Sequence, residues 1–170
     1  IEIARQWINK GIVVSTKTKN GIIDVRRSNG RALTDRPVVV LIDEGSASAS
    51  EILSGAIKDN NRGILVGKKT FGKGLVQSVR SLSDGSGLTV TVAKYLTPSG
   101  KDINKNGIDP DIKIDLLLNN GNKLTNLELG TVNDSQYITA ENFLTEKYRS
   151  SDKTTSYNPN QSNLDFALDY

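Results

Sequence analysis

The chain of 170 residues contains no cysteine, no histidine and no methionine. The missing cysteines exclude disulfide bonds and thiolate metal sites. Because histidine is missing, a serine nucleophile in this chain would need a proton acceptor other than imidazole. No apolar run approaches the ~18 residues of a spanning helix, so no integral membrane segment is predicted.

Aromatic residues are also few, at 5%, and the net charge is only +3. No basic stripe is interleaved with aromatic residues, so nucleic acid is not an expected partner. The length is sufficient for one domain with a hydrophobic core. Because Ile1 already lies in a helix-like pattern, we expect the chain to start within a longer protein, with any export signal upstream.

The apolar residues that are present predict strands alternating with helices. An uninterrupted apolar run at 36–45 is typical of a strand buried on both faces. The helix and strand that follow this run indicate a crossover in a parallel sheet. Spacing and turn signals predict a helix over 1–10, a hairpin over 11–27 turning at Asn20-Gly21, a loop over 28–36, a helix between 46 and 63, a strand over 63–67, a hairpin over 76–96, a strand over 112–118, a helix over 134–149 capped by Asp134, and a linker-like or disordered segment over 150–161.

The most informative stretch is residues 45–77, which begins with a serine-rich turn between a predicted strand and a predicted helix. Ser48 and Glu51 have the spacing of a capping box. The simplest interpretation is that Ser48 does no more than cap the helix.

The functional interpretation makes Ser48 a nucleophile at the end of a sheet. The N–H of Ala49, with the helix dipole behind it, could then stabilise a developing oxyanion. Ser46 and Ser50 are competing candidates, and spacing alone does not choose among the three serines.

Lys73 stands in a glycine-flanked loop at 70–74, where the ordinary interpretation is an exposed surface lysine. The functional interpretation is a neutral amine that acts as general base for Ser48. An ordinary lysine has a pKa of ~10.4 and is neutral in about one of 2,500 molecules at pH 7, so this hypothesis requires burial beside apolar groups. Gln77 could bind the amine without adding charge, provided the chain bends near Gly74, since four residues of strand span about 13 Å.

Two further motifs overlap this region, and we interpret both as coincidental. Residues 67–74 nearly match a phosphate-binding loop, but Gly74 replaces the Mg²⁺-binding Ser/Thr and a strand-like sequence follows where a helix is required. Residues 102–113 begin like a calcium-binding loop, yet Lys113 occupies the position of the bidentate glutamate. We therefore expect neither an NTPase nor a calcium site, and we interpret 102–107 as turn chemistry.

Taken together, residues 36–79, 84–112 and, more faintly, 134–144 resemble the carboxyl-terminal processing peptidases, or tail-specific proteases, of the S41 serine peptidase family. The family pattern places the nucleophile at the second serine of the SASASE-type turn, which is Ser48. It places the base at the lysine of the TFGKG-type loop, Lys73, and a supporting glutamine four residues later, Gln77. The resemblance therefore chooses among the three serines.

The resemblance implies an α/β fold, a ClpP/crotonase-like sheet-and-helix core with a β-hairpin and a polar, partly disordered C-terminal tail. Residues 1–118 would be the C-terminal part of the peptidase core, and 119–170 an extension with one helix near 134–149. Family members also carry an upstream PDZ domain and a glycine-rich turn that supplies a second oxyanion donor, and neither is in these residues. We therefore expect the chain alone to be inactive.

The function implied is a serine endopeptidase that cleaves near the C-terminus of exported protein substrates, in the periplasm or thylakoid lumen. The mechanism implied is a Ser-Lys(-Gln) acyl-enzyme pathway without metal or cofactor. The expected partners are protein substrates, recognised through their C-termini, and homodimer formation is left open. The alternative is a non-catalytic ligand- or peptide-binding module of the same fold.

Overall fold

The computed structural model describes residues 1–115 and 128–152, and over these residues the chain is an α/β protein with two sheets. The elements in chain order are α1 (Glu2–Trp7), β1 (Ile12–Thr18), β2 (Gly21–Arg27), β3 (Val39–Ile42), α2 (Ala49–Asp59), β4 (Ile64–Gly67), β5 (Leu75–Ser81), β6 (Gly87–Leu96), β7 (Ile112–Lys113) and α3 (Ser135–Asp152).

Four strands form an antiparallel sheet in the order β2-β1-β6-β5. Thr18 pairs with Gly21 across the first hairpin, as its Asn-Gly turn predicts. The second hairpin, β5–β6, is also confirmed, and its register shifts between Val76 and Gln77. A register shift of this kind marks a β-bulge, which bends the strand and redirects the side chains next to it.

The other sheet is parallel, in the order β3-β4-β7, and α2 is the predicted crossover between β3 and β4. This helix contacts both sheets, through β1 and β4, and therefore carries the centre of the core. The buried core residues are Ala4, Ile8, Val13, Ile42, Ala56, Ile57, Leu65, Ile103 and Ile108. Since both parallel strands end on the same side, the turns that follow β3 and β4 meet at one edge of the sheet.

The C-terminal helix α3 packs against β3 and β4. The predicted cap is confirmed, because Asp134 Oδ1 accepts the N–H groups of Gln136 at 2.9 Å and Tyr137 at 3.1 Å. The helix continues to Asp152, so the linker prediction is wrong for 150–152. No glycine or proline interrupts the helix there. The remainder of the predicted linker, 153–161, lies outside the described residues.

Two strand predictions need correction. The run at 36–45 forms only a four-residue strand, and Leu41 is 40% exposed, so β3 is not buried on both faces. Its end is set by Asp43, whose carboxylate accepts the N–H groups of Gly45 and Ser46 and starts the next turn. The strand predicted over 112–118 is found as β7 alone, and 116–118 lie outside the described residues.

Over 1–115 and 128–152, no helix has the length and apolar character needed to cross a membrane.

Candidate active site

A tight turn joins β3 to α2, and Ser48 is the N-cap residue of that helix. Its backbone has φ 56° and ψ −112°, a region that strains a non-glycine residue by about 1–3 kcal/mol. Hydrolases of another fold use a strained serine at a strand–turn–helix junction to expose a nucleophile. The strain therefore favours a role for Ser48 beyond capping.

The two neighbouring serines differ from Ser48. The Ser46 hydroxyl donates to Asp43 Oδ1 at 2.9 Å and accepts the Asp43 N–H at 3.1 Å, so it is committed to the turn. Ser50 lies inside the first turn of α2. Neither has a positive φ. These differences favour Ser48 as the nucleophile, the same choice that the family resemblance implies.

Glu51 is completely buried, at 0% exposure, and its carboxylate accepts four hydrogen bonds. The Thr70 hydroxyl and the Gly72 N–H donate to Oε1, each at 2.6 Å. The Ser48 and Lys73 N–H groups donate to Oε2, each at 2.8 Å. A buried carboxylate is tolerated only when its charge is compensated in this way, and its place in the first turn of α2 adds the favourable helix dipole.

Glu51 Oε2, which both N–H groups share, joins the turn that ends at Ser48 to the lysine loop, which we define as residues 70–74. The backbone nitrogens of Ser48 and Lys73 both lie one hydrogen-bond length from Glu51 Oε2. A further bond, from the Phe71 N–H to the Ser46 carbonyl at 3.0 Å, ties the same two segments together. The fold thus places the backbone of the two predicted catalytic residues side by side.

The side chain of Lys73 does not fulfil the expectation of burial, since it is exposed. The bonds from this loop to Glu51 come from the Thr70 hydroxyl and from the backbone of Gly72 and Lys73, so they fix the loop without burying the Lys73 side chain. A dry environment for the amine is therefore not provided by the residues that the structure describes.

Gln77 and Ala49 lie on different elements. Gln77 is exposed on β5, directly after the β-bulge, where it pairs with Thr91. The bend that the sequence required near Gly74 is present, because 71–74 are irregular and the strand begins at Leu75. Ala49 is the first residue of α2, so its N–H is one of the four that have no carbonyl partner within the helix.

The sequence identified Glu51 only as half of a capping box and missed its bonds to the lysine loop. Those donors are 19 to 22 residues away along the chain, so no local pattern reveals them. The only available signal was a glutamate placed next to an otherwise apolar helical stripe. Among the described residues, no cluster of acidic side chains is arranged to hold a metal ion.

Comparison with known proteins identifies the class. Residues 1–114 match the profile of peptidase family S41, which is more than half of the chain. The chain therefore belongs to peptidase family S41, and the resemblance carried by its motifs is confirmed.

Relatives within this family share close to half of the matched residues. A carboxyl-terminal-processing protease of Synechocystis is 49% identical over 145 residues, covering 85% of this chain and 33% of that protein. A chloroplastic C-terminal processing peptidase of Tetradesmus obliquus is 48% identical over 116 residues, covering 68% of this chain and 25% of that protein. The chain thus spans a quarter to a third of the length of these two relatives.

The fold agrees with this assignment. The solved structure of a photosystem II D1 C-terminal processing protease superposes with a TM-score of 0.65 at 49% identity, covering 66% of this chain and 30% of that one. A lipoprotein of Streptococcus agalactiae superposes with a TM-score of 0.60 at 17% identity and shows the fold alone.

Proposed function

We propose that this chain carries the catalytic serine and lysine of a carboxyl-terminal processing endopeptidase. The observation that supports the proposal most directly is the pair of hydrogen bonds from the Ser48 and Lys73 N–H groups to one oxygen of buried Glu51. The strained backbone of Ser48 points the same way. No histidine is present to act as the base, so lysine is the side chain expected to do so.

In the proposed reaction, neutral Lys73 removes the proton of the Ser48 hydroxyl as its oxygen attacks the substrate carbonyl. The N–H of Ala49, at the positive end of α2, stabilises the oxyanion that forms, an interaction worth about 3 kcal/mol per donor. Protonated Lys73 then gives its proton to the leaving amine, and water hydrolyses the acyl-enzyme. Gln77 orients the lysine by a hydrogen bond that adds no charge.

The exposure of Lys73 sets a condition on this mechanism. Only a neutral amine can accept the serine proton, and solvent favours the cation. The proposal therefore requires that bound substrate, or polypeptide outside the described residues, covers the lysine during turnover. Since the chain spans 33% of its Synechocystis relative, we also propose that these 170 residues alone do not turn over substrate.

The substrates are proposed by transfer from the relatives. One relative is named for processing the C-terminus of the photosystem II D1 protein, and others are chloroplastic C-terminal processing peptidases. We infer that this chain serves the same class of reaction, cleavage near the C-terminus of an exported protein, in the thylakoid lumen or the periplasm. Substrate capture through the C-terminus and homodimer formation belong to the proposal as well.

The test is to measure cleavage of a C-terminal peptide substrate by the full-length protein and its variants. Ser48→Ala and Lys73→Ala should each lower kcat/KM by at least about a thousandfold while folding is retained. Lys69→Ala is the matched control, because Lys69 is an exposed lysine four residues earlier whose amine lies 3.7 Å from Asp109. Near-normal turnover by Lys73→Ala would show that the base is another group.

The exposure of Lys73 favours the alternative, a non-catalytic ligand- or peptide-binding module of the same fold. An active-site serine probe distinguishes the two functions. Labelling of the full-length protein that is lost in Ser48→Ala supports the peptidase. Peptide binding without labelling would support the binding module instead.

A further inference from the structure

Residues 102–108, which we call the bracing loop, lie against the lysine loop. The Lys105 N–H donates to the Gly72 carbonyl at 2.8 Å. The Ile108 N–H donates to the Thr70 hydroxyl at 2.7 Å, and the Thr70 N–H returns a bond to the Ile108 carbonyl at 3.1 Å. The two loops are therefore joined by backbone bonds on both sides of Phe71.

The close contact between the two loops also explains why glycines flank Lys73. A Cβ on Gly74 would collide with the backbone nitrogen of Asn104. A Cβ on Gly72 would lie 3.0 Å from the carbonyl carbon of Lys105, and Gly72 also has φ +90°. Since the opposing atoms are backbone atoms, neither contact can be relieved by turning a side chain. The bracing loop thus forms a backbone template against which the lysine loop is shaped.

The bracing loop is itself fixed by Asp102. Its Oδ1 accepts a hydrogen bond from the Asn104 N–H at 2.8 Å, and its backbone carbonyl accepts one from the side-chain amide of Asn106 at 3.0 Å. Its Oδ2 pairs with Lys94 Nζ at 2.8 Å. Lys94 stands opposite Leu75 at the start of β5. Ile103, at 1% exposure, anchors the loop in the core.

The sequence pattern at 102–107, which looks like the start of a calcium-binding loop, therefore fixes the shape of the bracing loop. We propose that Asp102 is a positioning residue for the base, which acts by holding the bracing loop in the shape that directs Lys73 toward Ser48. This inference rests on the proposed function, since it concerns how the base of that reaction is placed.

Asp102 has two candidate contributions, and two substitutions separate them. Asp102→Asn keeps an oxygen that can accept the Asn104 N–H but removes the charge that pairs with Lys94. Asp102→Ala removes both interactions. Because Lys94 is half-exposed, its ion pair contributes little, and the turn bond to Asn104 is the interaction expected to matter.

In the full-length protein, Asp102→Ala should lower kcat by about tenfold to a hundredfold and leave KM within about twofold, since small displacements of a catalytic group have effects of this size. Asp102→Asn should retain kcat within about threefold. A residue with only a structural role would instead lower kcat in proportion to the loss of folded protein, which a thermal melt detects.

A glycine pair tests the template independently of Asp102. Gly74→Ala introduces the contact with Asn104, whereas Gly87→Ala, in the β5–β6 hairpin, adds a methyl group that meets nothing within 4 Å. Gly74→Ala should lower kcat at least about tenfold, and Gly87→Ala should leave it unchanged. Equal kcat values for the two variants would overturn the proposal, as would an Asp102→Ala variant with kcat within about twofold of the parent protein.

Amide hydrogen exchange keeps this test separate from the test of the peptidase. If Ser48→Ala retains activity, the proposed function fails, but hydrogen exchange still measures whether Asp102 holds the bracing loop against the lysine loop. In Asp102→Ala the amides of Thr70 and Lys105, which donate between the two loops, should exchange faster, while helix α2 keeps its protection. Unchanged exchange at both amides would contradict a bracing role whatever the reaction is.

Discussion

The lysine loop and the hairpin that follows it are adjacent in the chain but held very differently. Residues 70–74 are bound both by Glu51 and by the bracing loop. The β5–β6 hairpin, by contrast, leaves Val79 73% exposed, and Leu88 and Val92 48% exposed each. The comparison teaches that the backbone of the predicted catalytic lysine is fixed by several hydrogen bonds to other segments, whereas the adjoining hairpin leaves several apolar side chains exposed.

The largest expected effect comes from breaking the tight region at its centre. Glu51→Gln replaces one acceptor oxygen by an NH₂ group that faces buried donors, so the free energy of unfolding should fall by about 3–5 kcal/mol. Peptidase activity should fall with it. Chemical denaturation followed by circular dichroism measures the change.

Glu44→Gln is the control for this prediction. Glu44 is 70% exposed and its carboxylate lies 3.5 Å from Lys68 Nζ, so its substitution should change the free energy of unfolding by less than about 0.5 kcal/mol. Similar losses in the two glutamine variants would mean that the Glu51 carboxylate does not hold the loops.

The second prediction compares a threonine-to-valine substitution in the lysine loop with one in the β5–β6 hairpin. Thr70→Val removes a buried hydroxyl that donates to Glu51 and accepts from the Ile108 N–H, so stability should fall by about 2–3 kcal/mol. Thr89→Val changes an exposed residue of β6 and should be neutral or slightly stabilising. Urea denaturation of both variants checks the contrast, and equal effects would remove the distinction between loop and hairpin.

The third prediction sharpens the interpretation of the Ser48 backbone. Ser48→Gly and Ser48→Ala both remove the hydroxyl, but only glycine relieves the strain at φ 56°. The glycine variant should therefore be more stable than the alanine variant by about 1–2 kcal/mol, while both lack peptidase activity. Thermal melts of the two variants measure the difference, and a more stable alanine variant would argue against strain at this position.

The smallest expected effect concerns Asp59, at the end of α2. Burial alone would raise the pKa of its carboxyl, but hydrogen bonds from Thr97 and Ser99 and the charge of Lys101 hold the pKa below its ordinary value of 3.8. Because the pKa is lower in the folded protein, the carboxylate stabilises the fold at pH values above the ordinary pKa. This stabilisation is lost as the pH falls through the pKa of the folded protein. Asp59→Asn should thus destabilise the protein at pH 7 by less than about 1 kcal/mol, since the group is partly exposed.

This difference between the parent protein and Asp59→Asn should shrink below about pH 4, because the parent carboxylate becomes protonated there. Denaturation curves at pH 7 and pH 3 provide the measurement. A difference that stays constant over this range would assign the effect of Asp59 to packing.

Much of the fold could be predicted from patterns that act over a few residues. The Asn20-Gly21 turn, the alternation along β5 and β6, and the cap at Asp134 are local signals, and each produced the expected element. Element ends were predicted less well: β3 ends where the Asp43 carboxylate binds the next turn, and α3 runs past the predicted end because the sequence holds no helix breaker there.

The candidate site likewise has features that the sequence predicts and features that it does not. Its residue types and spacing, Ser48, Lys73 and Gln77, could be recognised in the sequence, because a family pattern depends on chain order alone. Whether Lys73 is exposed, as its residue type favours, or buried, as the catalytic hypothesis requires, could not be decided from the sequence, since the cover over a side chain comes from whichever segments pack beside it.

The identity of the residues that join the site lay beyond the sequence. A carboxylate at Glu51 has the chemistry to accept several hydrogen bonds, and this much is inherent in its residue type. That its donors come from the turn before α2 and from a loop after β4 is a consequence of a parallel sheet, which brings the ends of two strands to one edge. Contacts of this kind join residues far apart in the chain, and they exist only once the strands have paired.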